Sequence, residues 1–251
     1  MNLDPLNVTL KHKADLSIFL LSDTHIGSGH HDGEWLEYWE SVFKRTHGLK
    51  IIYGLGDYVD TGSTRVGGFD QSMSGDEQIN YLIDFLKPYK DYIRVLAQGN
   101  HEARFKKEFN TSIINIVGET LGVPTTDGHF FDTLRINGQD FTVYGRHGNK
   151  TSAKLHLMMG GWERSTDHID ANLLVSGHCH HCQSWERTVM DKADLKQRVY
   201  ALGGHMLNYN GSYADDMGLA IHPPSFMKLS VNRDLKVSAE KYYNLKQEAL
   251  L

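Results

Sequence analysis

Five short polar clusters follow one another along the chain: Asp23-Thr24-His25, Gly56-Asp57-Tyr58-Val59-Asp60, Gly99-Asn100-His101-Glu102, His147-Gly148 and Gly177-His178-Cys179-His180. Carboxylate, amide and imidazole are the oxygen and nitrogen donors that divalent cations take, and together they suffice for two ions sharing a bridging carboxylate. Asp57 is the candidate bridge. Asp23, His25 and His180 would complete the protein ligands of one ion, and Asn100, His147 and His178 those of the other. An extended segment would turn both rings of His178 and His180 to one side, which suits two ions roughly 3.5–4 Å apart. A tight turn would deliver them differently. Such a pair of cations acidifies bound water and makes a bridging hydroxide the nucleophile. His101, beside Asn100, would face a leaving-group oxygen as general acid, with Asp60 aimed at its ring to orient it and raise its pKa.

Each cluster also has a plainer use. Asp23 with His25 could end a strand, Gly56 to Asp60 could form a turn, and Asn100 could cap a helix. His147 is one of 15 histidines. Paired imidazoles at 178 and 180 have few structural uses, and the five clusters in order argue jointly for a centre. Cys179 and Cys182 form a Cys-x-x-Cys spacing, but no second cysteine pair accompanies them, so they read as ordinary core residues. Arg104, Arg146 and His205 are candidates for substrate contact.

The elements that must position these groups are legible in the apolar pattern. Leu16 to Leu21, Lys50 to Leu55 and Tyr92 to Ala97 read as buried strands, each delivering a cluster at its end. Between them, Trp35, Trp39, Val42 and Phe43 recur with helical spacing up to Gly48, and the two tryptophans should face the core. Ser74 and Glu77 make a capping box before the stripe Ile79, Leu82, Ile83 and Leu86, which stops before Pro88. A further helix is expected from about Arg104 to Glu119, ended by Gly122-Val123-Pro124. This alternation argues for right-handed βαβ units with parallel strands.

After residue 124 the pattern changes. Phe130 to Ile136 and Phe141 to Tyr144 flank Asn137-Gly138, a hairpin signal. Leu173 to Ser176, Ser184 to Met190, Arg198 to Leu202, Phe226 to Val231 and Leu235 to Ala239 also read as strands, the last two joined at Asn232-Arg233-Asp234. Two sheets packed face to face with helices outside would accommodate them. The Gly62 to Gly75 stretch reads as a loop near the centre, and it and the segment Lys150 to Asp170 are expected to govern substrate choice.

At 251 residues, with 40% hydrophobic and 23% charged residues, the chain is expected to be a single soluble domain over 1–251. A net charge of −5 does not favour a nucleic-acid backbone, although Arg104, Lys106 and Lys107 could form a local phosphate-attracting patch. Two cysteines do not make a disulfide framework, and the apolar run at Leu16 is too short for a membrane span or a signal-peptide core. A cytoplasmic protein, with no membrane and no obligate protein partner, is expected.

The five clusters resemble the calcineurin-like metallophosphoesterase family, whose pattern runs Asp-x-His, Gly-Asp-x-x-Asp, Gly-Asn-His-Asp/Glu, a later His and Gly-His-x-His. The resemblance spans Asp23 to His180. It implies an α/β fold, a four-layer αββα sandwich of two mixed sheets flanked by helices, with two metal ions at the strand ends, commonly manganese, iron or zinc. It also supports Asp60 as partner of His101. Gly56 to Asp60 and Gly99 to Glu102 resemble the protein serine/threonine phosphatases too. There the residue after the second Asp is usually Arg, and Thr61 stands here, which argues against that branch. Asp23-Thr24-His25-Ile26-Gly27 resembles the opening of double-strand-break repair exonucleases, whose separate DNA-binding cap would not fit in a chain of this length.

The expected function is a di-metal phosphoesterase hydrolysing a phosphomonoester or phosphodiester, of nucleotide type among others. A metal-dependent DNA or RNA exonuclease is the alternative within the same chemistry. A catalytically silent binding or scaffold protein is the alternative outside it.

Overall fold

Strand β2 (Leu16–Leu21) is buried along its whole length, because it lies inside a sheet covered on both faces. It pairs in parallel with β3 (Leu49–Gly54), which pairs in parallel with β4 (Ile93–Ala97), and β4 with the short β5 (Thr125–Thr126). On its other side β2 meets β11 (Ser225–Val231), antiparallel, and β11 meets β12 (Val237–Tyr242). The computed structural model describes residues 1–61, 71–148, 154–191, 194–208, 222–243 and 245.

A second group of strands runs in the order β1 (Leu6–Val8), β6 (His129–Ile136), β7 (Gln139–Arg146), β8 (Leu173–Ser176), β10 (Asp194–His205) and β9 (Cys182–Asp191). Both groups mix parallel and antiparallel pairs. They are joined at one corner, where Gly204 and His205 at the end of β10 pair with Phe226 and Ser225 of β11.

The two sheets close on a shared core that includes Ile18, Leu20, Tyr53 and Val95 from one, and Phe130, Val143, Val175 and Ala201 from the other. The outer face of the first sheet is covered by α1 (Gly33–Arg45), α2 (Gly75–Leu86) and α4 (Ile113–Leu121), through Trp35, Trp39, Leu82 and Val117. Helix α5 (Leu155–Thr166) covers the second through Trp162, against Tyr144, Leu174 and Tyr200. The layers are therefore αββα, as expected, with the qualification that β10 stitches the sheets into one hydrogen-bonded path.

Trp35 and Trp39 face the core as expected. Ser74 and Glu77 form the capping box of α2, and Asn137 and Gly138, both at positive φ, turn the β6–β7 hairpin. The single helix expected from Arg104 to Glu119 is instead two, α3 (Asn100–Phe109) and α4. Asn110 adopts a left-handed conformation that stops α3, and the Ser112 hydroxyl caps α4 by accepting from the Asn115 N–H. Phe109 on α3 and Ile116 on α4 are exposed. Leu235 belongs to a turn, not a strand: the Asn232 side chain accepts from the N–H groups of Asp234 and Lys236, and pairing starts at Val237.

Residues 62–70 of the expected Gly62 to Gly75 loop, and 150–153 of the Lys150 to Asp170 segment, lie outside the described residues. The rest of that segment is mostly α5, a covering helix that the sequence reading missed. Among the described residues no helix is long and apolar enough to cross a membrane.

Candidate metal centre

All five polar clusters lie just beyond the C-terminal ends of strands: β2 leads to Asp23, β3 to Asp57, β4 to Asn100, β7 to His147 and β8 to His178. Because β2, β3 and β4 are parallel neighbours and β7 and β8 are too, these ends gather at one rim of the sandwich. Five of the candidate ligands, Asp23 (φ 50°), His25 (46°), Asp57 (52°), His178 (71°) and His180 (55°), have left-handed backbones. Non-glycine residues pay for this conformation, and such strain concentrates where a site requires a particular side-chain direction. Two glycines allow the close approach. A Cβ on Gly99 would stand 2.1 Å from the Asp57 backbone nitrogen, and one on Gly177 would stand 2.3 Å from Ser22 Oγ.

The side chains converge in two groups on either side of Asp57. Donor atoms of Asp23, His25 and His180 lie within 4.8 Å of one another, and so do those of Asp57, His147 and His178. His180 Nε2 is 3.2 Å from Asp23 Oδ1 and 3.4 Å from His25 Nε2. Asp57 Oδ2 is 3.1 Å from His147 Nε2 and 4.0 Å from His25 Nε2, so one carboxylate oxygen reaches toward both groups. Asn100 Oδ1 is 3.0 Å from His147 Nε2. All seven expected ligands are thus brought together.

The imidazoles are oriented from behind. His147 Nδ1 donates to the Leu55 carbonyl at 2.7 Å, and His25 Nδ1 to Asp60 Oδ1 at 3.0 Å. Both therefore turn Nε2 inward, the arrangement that metal-ligating histidines use. Ring nitrogens and buried carboxylates facing one another require protons or cations between them, so this donor set fits divalent metal ions.

The electrostatics express the same crowding. Burial pushes the Asp23 carboxyl up, but the hydrogen bond and charge of His180 outweigh it and hold the pKa at about 2. Burial likewise opposes ionisation of Asp57, and His147 overcomes it to lower the pKa. His147, pushed down by burial, is raised to about 9 by its bond to Asp57 and the neighbouring carboxylates. His25 is raised because Asp60 and Asp57 outweigh burial. His178 is lowered by burial and by His147.

His101 stands against His25, ring centroids 4.6 Å apart. Its Nδ1 donates to the Asp60 carbonyl at 2.6 Å and lies 3.2 Å from the Asp60 carboxylate, whose nearer partner is His25. The Asp60 carbonyl therefore holds the His101 ring, and Asp60 acts to raise its pKa but is outweighed. Burial and the His25 charge push the ring down to about 4.

Glu102 is a functional group for which the sequence reading assigned no role. Fully buried, it accepts from the backbone N–H groups of Asp57 (3.1 Å), Tyr58 (2.7 Å), Val59 (3.2 Å) and Gly99 (2.8 Å), clamping the turn that carries the central carboxylate. Burial and the Asp57 charge raise its pKa to about 7. The available signal was its place three residues after Gly99, where a capping Glu closes a helix start.

The expected substrate contacts fare differently. Arg104 is exposed on α3, with no hydrogen bond or ion pair among the described residues. Arg146 lies beside His147, its guanidinium 4.5 Å over the Trp162 ring and bonded to Ser165 Oγ. His205 is fully buried behind His180, with rings stacked at 4.9 Å, and both its nitrogens bond to main chain. Cys179 and Cys182 are buried and unbridged, consistent with core residues.

No protein-family model and no curated protein matches the chain. Among solved structures it is similar to vacuolar protein sorting 29 from Cryptosporidium parvum (16% identity, TM-score 0.47, covering 92% of this chain and 99% of that one). It is also similar to a predicted phosphoesterase from Streptococcus pneumoniae (13% identity, TM-score 0.43, covering 93% and 100%).

Proposed function

We propose that the chain is a metal-dependent phosphoesterase. The observation that carries this reading is the placement of Asp57 Oδ2 between His25 Nε2 and His147 Nε2, with Asp23 and His180 on one side and Asn100 and His178 on the other. Two divalent cations, manganese, iron or zinc, would supply charge neutralisation for a phosphate and an acidified water when bound there.

The chain's own groups do the rest. Asp57, Asp23 and the four ligand imidazoles fix the cation positions, and the Leu55 carbonyl and Asp60 hold the rings of His147 and His25 in the required tautomer. Glu102 keeps the Asp57 turn rigid. His101, held through Nδ1, turns its other edge away from Asp60 and toward a substrate oxygen. An arriving phosphate anion opposes the effect of His25, favours the protonated ring and lets it donate to the leaving oxygen.

The test is hydrolysis by the manganese-loaded protein of a panel containing aryl phosphomonoesters, aryl phosphodiesters, cyclic nucleotides and labelled single- and double-stranded DNA. Turnover that disappears in Asp57→Asn supports the reading. Degradation of the polymer alone would reassign the chain to the nucleases. Bound metal with no turnover on any substrate would make it a binding protein.

A further inference from the structure

Beside the centre lies a cleft of about 380 Å³, lined by Asn100 and His147, by Gln98, Gly99 and Ala103, and by Asp127–His129 and Arg146–Gly148. His101 and Asp60 are not part of this lining, so the cleft opens on the Asn100 and His147 side of the centre. Its volume falls within the range of small-molecule sites, about 300–1,000 Å³.

Two buried polar atoms of the lining residues have no hydrogen-bond partner among the described residues. Gln98 is 9% exposed, and its Oε1 has no hydrogen bond; neither does Nε of Arg146, whose guanidinium is otherwise fixed by Ser165 and Trp162. Buried groups of this kind normally find a partner. One fixed cation, one amide and the His129 ring suit an arm bearing hydroxyl and carbonyl groups better than a hydrocarbon chain.

A phosphoester has four substituents on phosphorus. The leaving oxygen belongs beside His101, and cations held at the centre would neutralise charge on two of the others. The fourth is a bare oxygen in a monoester and a second organic arm in a diester. We propose that the substrates are phosphodiesters and that the retained arm, a polar group of nucleoside type, occupies the cleft between Gln98, Gly128 and Arg146. This rests on the phosphoesterase reading and narrows it. In the reaction a water oxygen bonds to phosphorus as the bond to the leaving oxygen breaks. The retained arm stays on the phosphate as a monoester product, and the protons of water pass to the leaving group or to solvent.

The experiment compares two esters with the same leaving group, thymidine 5′-(p-nitrophenyl phosphate) and methyl p-nitrophenyl phosphate, with p-nitrophenyl phosphate as the monoester. Calorimetric binding of thymidine 5′-phosphate and of methyl phosphate to the metal-loaded chain gives a readout independent of turnover. The thymidine arm is expected to raise kcat/KM and tighten product binding by about tenfold, or ~1.4 kcal/mol. Gly128→Tyr and Ala103→Trp, which fill the cleft, should bring both ratios toward one. A Cβ at Gly128 meets nothing within 4 Å, so that variant keeps the fold if the larger Ala103 replacement does not. Equal ratios for the two arms, or hydrolysis of the monoester alone, would overturn the cleft assignment and leave the phosphoesterase reading standing. No hydrolysis of any ester by the metal-loaded protein would overturn both.

Discussion

His147 Nε2 lies 3.1 Å from Asp57 Oδ2, and without a cation this contact is a buried ion pair: His147 is raised to about 9, and Asp57 is lowered. A cation must displace the His147 proton to bind. Metal uptake at pH 7.5 should therefore release protons, visible as a dependence of the calorimetric heat on the ionisation enthalpy of the buffer. Identical heats in all buffers would contradict this protonation state.

The same pair sets the pH dependence of the metal-free fold. A histidine whose folded pKa is raised contributes stability that is complete below its unfolded value, about 6.5, and lost as pH rises through its folded value. Urea midpoints of the metal-free protein should fall between pH 6.5 and about 9, and the slope should flatten in His147→Gln. An unchanged slope in that variant would assign the pH dependence elsewhere.

Glu102 supplies both oxygens to four backbone donors, so Glu102→Ala leaves buried N–H groups unmet and should cost about 3 kcal/mol in unfolding free energy. Glu102→Gln presents an N–H₂ group where acceptors are required and should also destabilise. In both variants metal affinity should fall by roughly 10–100-fold, because the Asp57 turn loosens. Wild-type metal affinity in Glu102→Ala would show that the clamp does not position Asp57.

For His101, the leaving group decides. His101→Gln should lose about 10²–10⁴ in kcat for an alkyl ester, whose oxygen needs a proton, and far less for a nitrophenyl ester, which does not. Equal losses on both would give His101 a positioning role only.

Burial pushes the thiols of Cys179 and Cys182 up to about 12. Neither should react with iodoacetamide at pH 8 in the native protein, and both should react in urea. Rapid labelling of the native chain would contradict the burial.

The site was legible because its residues are polar groups at the ends of apolar strands, and the strands themselves, β2, β3, β4 and β8, are predominantly apolar, each with a single polar or charged residue, Ser17, Lys50, Arg94 and Ser176. Helix α5 was not legible in the same way. It lacks a side-chain cap and carries a Gly160-Gly161 pair that weakens the helical pattern. The α3–α4 break was hidden because Phe105, Phe109 and Ile113 keep four-residue spacing across Asn110, and only the left-handed backbone there reveals the stop. The strand expected at Arg198 to Leu202 stops short of Gly203 and Gly204, yet β10 continues through both glycines to His205 and pairs there with β11. Periodicity records which face is buried, whereas the pairing of distant strands is a tertiary fact.

The central claim is that seven side chains hold two cations across Asp57. Anomalous diffraction from crystals of the manganese-loaded protein tests it most directly. Two peaks roughly 3.5–4 Å apart are predicted, one among Asp23, His25 and His180 and the other among Asn100, His147 and His178, with the Asp57 carboxylate between them. A fully loaded crystal with no peak at these residues, or with a single peak remote from Asp57, would contradict the account.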